Sequence, residues 1–181
     1  MKKLLIILVI IMATMNQSMT AGTLSERQLH LATLASLEAQ GDLGRLAPAI
    51  NEALDGGVTV NEIKEAFSQL YAYTGFPRSL NALGTLSKVL LVRKAEGKND
   101  DEGKAWTRPK EWDAADLALK NGTKTQTKLS GKPFNYDFCP QNDYYLKAHL
   151  FGDIFAGDQL SAADREIVTV AALASLKGVA P

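Results

Sequence analysis

Two short stretches of this chain carry side chains able to move a proton or hold an anion. In TGFPRSLN (74–81) an arginine and an asparagine stand just past a Gly-Phe-Pro break between two helix-like runs. In YLKAHLFGDIF (145–155) a histidine is followed four residues later by an aspartate. On a helix, His149 and Asp153 share one face, an arrangement that orients an imidazole and raises its basicity. His149 is therefore the leading candidate general acid or base; the alternative is a His–Asp pair that only ties helices together. Arg78 lies in the first turn of a helix, where the macrodipole suits an acid better than a base. A cation placed there against preference points to an anion facing it, such as a substrate carboxylate, or to a salt bridge with a neighbouring helix or subunit. Asn81 can offer its amide to the same ligand, or form a polar corner of an interface.

Glu62 is a second candidate for proton transfer. It also stands three residues after Thr59 in a T-x-x-E capping box, which by itself explains a glutamate there. Cys139, in YDFCPQND, is the single cysteine of the sequence. It offers no disulfide or dithiol chemistry within the chain. The thiol is either nucleophilic at a helix entrance or a small apolar filler. Two histidines and one cysteine give no metal-ligand spacing. No Gly-rich phosphate loop or Gly-x-Ser-x-Gly motif appears, and neither a metal nor a cofactor is expected.

The elements that position these residues have helical period. LSERQLHLATLASLEAQ opens with Ser25 and Gln28 in a capping-box arrangement, carries Leu31, Leu34 and Leu37 at helical spacing, and stops at Gly41. LGRLAPAINEALDGG reads as a second, Pro-interrupted helix ending at Gly56-Gly57. A third starts at Thr59, sets Ile63, Ala66, Phe67 and Leu70 at i, i+3, i+4 and i+7, and ends at Gly75. Pro77 can sit in the first turn of a fourth helix, which runs to about Gly97. Residues 97–111 read as a polar linker or exposed excursion. A short helix is expected near Trp112 to Leu119, irregular chain over 123–133, and helices over Tyr144–Ala156 and Ser161–Leu176. No run has period two, so the fold class is all-α.

The composition, 46% hydrophobic and 22% charged with zero formal charge, is that of a globular chain. It gives no basic patch for nucleic acid or an acidic membrane surface. Lys2 and Lys3 followed by LLIILVIIMA and a polar, small-residue stretch make the pattern of a secretory signal peptide. The apolar run is shorter than the roughly 17–25 residues of a membrane span. Cleavage near Ala21 is expected, with a periplasmic or secreted mature chain and no stable membrane span thereafter. An internal repeat is also present: LATLASL (31–37) matches VAALASL (170–176). Ala47-Pro48 loosely parallels Ala180-Pro181, so the second copy is expected to be cut off part-way.

GGVTVNEIKEAFSQLYAYTGFPRSLNAL (56–83), YLKAHLFGDIF (145–155) and LSAADREIVTVAALASL (160–176) together resemble the carboxymuconolactone decarboxylase family, whose wider group includes the alkylhydroperoxidase D-like proteins. The resemblance implies a helical bundle of the alkylhydroperoxidase D-like type, with one complete unit plus the start of a second. The expected boundaries are a signal peptide over 1–21, a first unit over 22–97, a linker with a short helix over 98–135, and an incomplete second unit over 136–181. It implies a homo-oligomer, trimer or hexamer, acting without a cofactor on a small-molecule substrate by decarboxylation or isomerisation of a lactone or carboxylic acid. In alkylhydroperoxidase D-like relatives a Cys-x-x-Cys pair, a glutamate and a histidine surround the same break. Their positions fall here on Thr74, Pro77, Glu62 and Asn81, which leaves no dithiol. His149 and Glu62 are then the expected catalytic residues, with Arg78, Asn81, Asp153 and Thr74 binding substrate. An antioxidant, peroxidase-like activity would have to run on Cys139 alone. A third reading is a non-catalytic or truncated assembly module.

Overall fold

The computed structural model of the chain describes residues 23–107, 117–138 and 140–179. The leader expected over 1–21, Trp112 and Cys139 lie outside the described residues. The described elements are helical: α1 (Glu26–Gln40), α2 (Leu43–Asp55), α3 (Val60–Thr74), α4 (Phe76–Ala95), α5 (Leu117–Ser130), α6 (Pro140–Tyr144), a π-helix (Tyr145–Ile154) and α7 (Ala162–Ser175). The all-α fold is as the periodicity requires. Among the described residues no helix is long and apolar enough to cross a membrane.

The residues fall into two compact units, Thr23–Trp106 with Gln159–Ala180, and Thr107–Asp158. This grouping cuts the chain differently from the expected boundaries, because α7 packs beside α1 and α3. In the larger unit the core is a continuous apolar cluster from α1, α2, α3, α4 and α7, with Leu31, Leu34, Ile50, Ile63, Phe67 and Val168 fully buried. Helix starts are capped as their sequences predict. The Ser25 hydroxyl accepts from the Gln28 N–H while the Ser25 N–H donates to the Gln28 side chain, and Thr59 and Glu62 repeat the arrangement on α3. Pro48 lies inside α2 without breaking it.

Residues 97–106 are a fastened strap rather than a free excursion. The Asp101 and Glu102 carbonyls accept from the Val60 and Asn61 N–H groups at 2.9 and 3.0 Å, filling donors that a helix start leaves open. Gly103 adopts φ +68°, and a Cβ there would lie 2.2 Å from Thr59 Oγ1. Arg93, only 3% exposed, anchors the strap by donating to Asp100, Asp55 and Asn51.

The smaller unit is built on α5 packed against the π-helix. Residues 123–130, expected to be irregular, belong to α5 instead. Threonine-rich sequence is a poor helix former, but tertiary packing overrides it. The backbones meet at glycines: a Cβ on Gly122 would sit 1.7 Å from the Lys147 carbonyl oxygen, and one on Gly152 2.3 Å from that of Ala118. Lys147, nearly buried, donates to Asp143 at 2.6 Å and Asn135 at 2.8 Å.

Candidate functional site

The break at 74–78 is a tight corner. Gly75 has φ 85° and ψ 154°, a region essentially restricted to glycine. Tyr71 stacks on Phe76 with ring centroids 4.3 Å apart, and the Ser79 hydroxyl donates to the Phe67 carbonyl at 2.7 Å. Thr74 is thereby fixed at the end of α3, 8% exposed, with its hydroxyl 2.8 Å from Glu38 Oε1 and 2.9 Å from the Leu70 carbonyl.

Glu38 is the residue that sequence reasoning missed. It comes from the last turn of α1, is 1% exposed, and its Oε2 is buried without a hydrogen-bond partner among the described residues. Burial raises its pKa from 4.5 to about 6, against the smaller opposing effects of the Thr74 hydroxyl and the Arg78 charge. The geometry agrees with that direction. The Thr74 hydroxyl has one hydrogen and two acceptors within reach, so an ionised Glu38 competes with the Leu70 carbonyl for it. A protonated Glu38 instead donates to Thr74, and Thr74 donates to Leu70, which leaves only the neutral Oε2 without a partner.

Arg78 is exposed and turns back over the corner, its Nη1 3.3 Å from the Thr74 carbonyl oxygen. Its other near charge is Glu38. Asn81 is exposed one turn further along α4. Thr74 and Arg78 thus gather at the corner with Glu38, and no thiol stands at Thr74 or Pro77.

Glu62 is committed elsewhere. Its Oε2 accepts from the Thr59 N–H and hydroxyl, and its Oε1 accepts from Arg27 at 2.6 and 3.0 Å. Arg27 also donates to Asp164 at 2.9 Å, which joins α1, α3 and α7. Burial pushes the Asp164 carboxyl up, but hydrogen bonds from Arg27, Ser161 and Gln28 outweigh it and hold the carboxyl below the usual range. These engagements suit a fixed structural carboxylate at Glu62.

A second buried cluster joins α3 to α7. Arg165, 1% exposed, donates to Gln69 at 3.0 Å and also pairs with Glu65. Gln69 donates to the Arg165 carbonyl and to Thr169, both at 2.9 Å. Beside them burial raises Glu166 to about 7 and Tyr73 to about 12. In the smaller unit, His149 Nδ1 lies 2.8 Å from Asp153 Oδ2 on the π-helix, at the i,i+4 spacing that the sequence predicts. His149 is half exposed and Asp153 partly buried. His149 and Asp153 therefore belong to one unit, and Glu38, Glu62, Thr74, Arg78 and Asn81 to the other. An open groove of about 420 Å³ along α3 and α4, lined by leucines between Lys64 and Lys94, includes none of these residues.

No curated protein matches the chain. Residues 9–88, which take in α1, α2, α3, the corner and most of α4, match the family model of the carboxymuconolactone decarboxylase family. Over that segment the chain is similar to the carboxymuconolactone decarboxylase family, which supports a carboxymuconolactone decarboxylase-like or alkylhydroperoxidase D-like protein.

Proposed function

We propose that this protein carries out cofactor-free decarboxylation or isomerisation of a small lactone or carboxylic acid at the α3–α4 corner. The observation behind this reading is the Glu38 carboxyl, buried and half unpaired, with a pKa of about 6 and hydrogen-bonded to Thr74 beneath Arg78. Arg78 holds the substrate carboxylate as a bidentate partner. When the C–CO2 bond breaks, CO2 leaves and the electron pair stays on carbon. That carbon takes the Thr74 hydroxyl proton, and the Glu38 carboxyl replaces it. In an isomerisation the same pair takes a proton from one carbon and returns one to another.

The test is a panel of carboxy-lactones and β-keto acids, followed by CO2 release and ultraviolet absorbance. Turnover is expected on at least one, declining as pH rises through about 6. Arg78→Ala should raise KM about tenfold or more, the weight of one charged contact, while Glu38→Gln lowers kcat by about 10². No turnover across the panel, or an unaltered KM for Arg78→Ala, removes the reading.

The His149–Asp153 contact supports a second assignment in which the reaction runs within the smaller unit and His149 moves the proton. Under it His149→Ala, rather than Glu38→Gln, abolishes kcat. The rival antioxidant reading needs Cys139, and peroxide consumption that survives Cys139→Ser excludes it. A trimeric or hexameric assembly and export behind a cleaved leader complete the proposal. Light scattering and N-terminal sequencing of the exported protein test these.

A further inference from the structure

Zero net charge hides a local row of cations in the smaller unit. Helix α5 buries one face, with Gly122, Gln126 and Ser130, against the π-helix. Its exposed residues are Leu117, Lys120, Lys124 and Lys128, and an exposed Lys132 follows just past the helix end. A spacing of four sets the helical lysines in single file, about 6 Å apart along the axis. From Leu117 to Tyr136 the chain carries these four lysines and neither an aspartate nor a glutamate. Among the described residues none of the four has a carboxylate partner, whereas Lys147 of the facing π-helix is paired with Asp143. Like charges at this spacing repel, so the row contributes nothing to the fold that would account for it. Solubility needs only mixed charges. An unmixed row fits a partner that brings the opposite sign.

A second observation adjoins the first. Past Lys132 the chain runs into PFNYDF (133–138), where every second residue is aromatic. The rings of Phe134, Tyr136 and Phe138 follow one another with centroids 6.5 and 6.2 Å apart. Phe138 is 90% exposed. An aromatic face left open in this way suits a flat repeat unit whose C–H bonds can lie against the ring.

A linear polyanion with flat repeat units answers both features. A nucleic-acid site is the footprint of a basic domain, but the sequence of the smaller unit over 107–158 has seven basic and seven acidic residues. The row also holds no arginine, the residue that grips phosphate bidentately. A lipid surface calls for a broad apolar face beside the charges, and α5 exposes only Leu117 beside its lysines. We infer that the lysine face of α5 and the aromatic residues at 134–138 form a binding surface for a linear carboxylated polysaccharide of the polyuronate type. Such a chain carries one carboxylate per sugar for the ammonium groups, and the C–H face of a pyranose ring packs on the open aromatic rings. The inference is independent of the reaction proposed above, which uses none of these residues.

The test titrates the full chain with polygalacturonate by calorimetry. Saturable binding is expected, weakening about tenfold or more as ionic strength rises from about 0.05 to about 0.5 M. Lys124→Glu with Lys128→Glu should weaken it about tenfold or more, and Phe138→Ala about two- to tenfold. Lys124→Gln with Lys128→Gln, which removes charge without reversing it, should give a smaller loss in the same direction, with unchanged helical circular dichroism. Lys88→Glu with Lys94→Glu makes the same change of net charge on exposed positions of α4 and should leave binding as it was. No binding of polygalacturonate, no loss on altering the row, or an equal loss from the α4 pair overturns the inference. So does tighter binding of oligodeoxythymidylate or of phosphatidylglycerol vesicles, which would assign the row to a nucleic acid or a membrane.

Discussion

Replacing Glu38 by glutamine separates the protein's stability from its proposed chemistry. The amide keeps the shape of the carboxyl and can donate to the Thr74 hydroxyl, as the protonated acid does, but it cannot ionise. In the folded chain Glu38 titrates at about 6 rather than 4.5. A carboxyl with a raised folded-state value binds its proton more tightly folded than unfolded. Its contribution to stability is therefore complete below about 4.5 and is lost as pH rises through about 6. The displacement of about 1.5 units corresponds to about 2 kcal/mol at ~1.4 kcal/mol per unit. Glu38→Gln should thus stabilise the protein by about 2 kcal/mol at pH 8, by about 1.6 kcal/mol near pH 6, and by only about 0.4 kcal/mol at pH 4.5. Urea unfolding of both forms at the three pH values measures this, and Glu166 cancels in the difference because both forms carry it. A gain that does not vary with pH, or a variant less stable than the parent at pH 8, would show that burial is not what governs Glu38. A site that stores an unfavourable carboxyl for use is expected to become more stable and less active when that carboxyl is neutralised.

Three further substitutions probe the scaffold. Gly122→Ala drives a methyl into the Lys147 backbone, where neither side is a flexible side-chain tip. It should cost about 3 kcal/mol and lower the helical circular dichroism of α5 and the π-helix. Arg93→Ala leaves Asp100 and Asp55 without their guanidinium, so a loss of about 3 kcal/mol in urea unfolding is expected, with faster proteolysis of the 97–106 strap. Gly75→Ala places a Cβ at φ 85° and should cost about 1–3 kcal/mol, with a larger loss of turnover than stability explains, because Thr74 and Arg78 flank the corner.

The larger unit was legible because its signals are local. Ser25 with Gln28, Thr59 with Glu62, and glycines at 41, 57, 75 and 97 mark helix ends through capping and left-handed φ values that depend on neighbours alone. What periodicity could not show was pairing between distant segments. The repeat was visible as five identities in seven residues, but not that α7 would lie beside α1 within one unit. The fate of 97–106 was hidden for a related reason. A polar run reads as solvent-exposed, which it is, but its fastening to Arg93 in the last turn of α4 and to the Val60 and Asn61 N–H groups of α3 is not visible in it. Helix α5 went unseen because its threonines argue against it, while two glycines and a facing helix argue for it more strongly.

The candidate site divides along the same line. His149 with Asp153 and Thr59 with Glu62 are spaced within one turn, so helical geometry alone brings each pair together. Glu38 and Thr74 are 36 residues apart, and nothing about a glutamate in EAQG marks it as buried. The positions of Arg78 and Glu38 share one physical cause. A carboxyl buried at the closing turns of α1 and α3 faces carbonyl ends, which repel its charge. A cation at the opening turn of α4 offsets part of that repulsion, although its own helix disfavours it. Arg78 stands against its helix dipole because it answers a charge from another helix, and a bound carboxylate would compete with Glu38 for it. Substrate binding should then raise the Glu38 value further, loading the proton as the anion arrives.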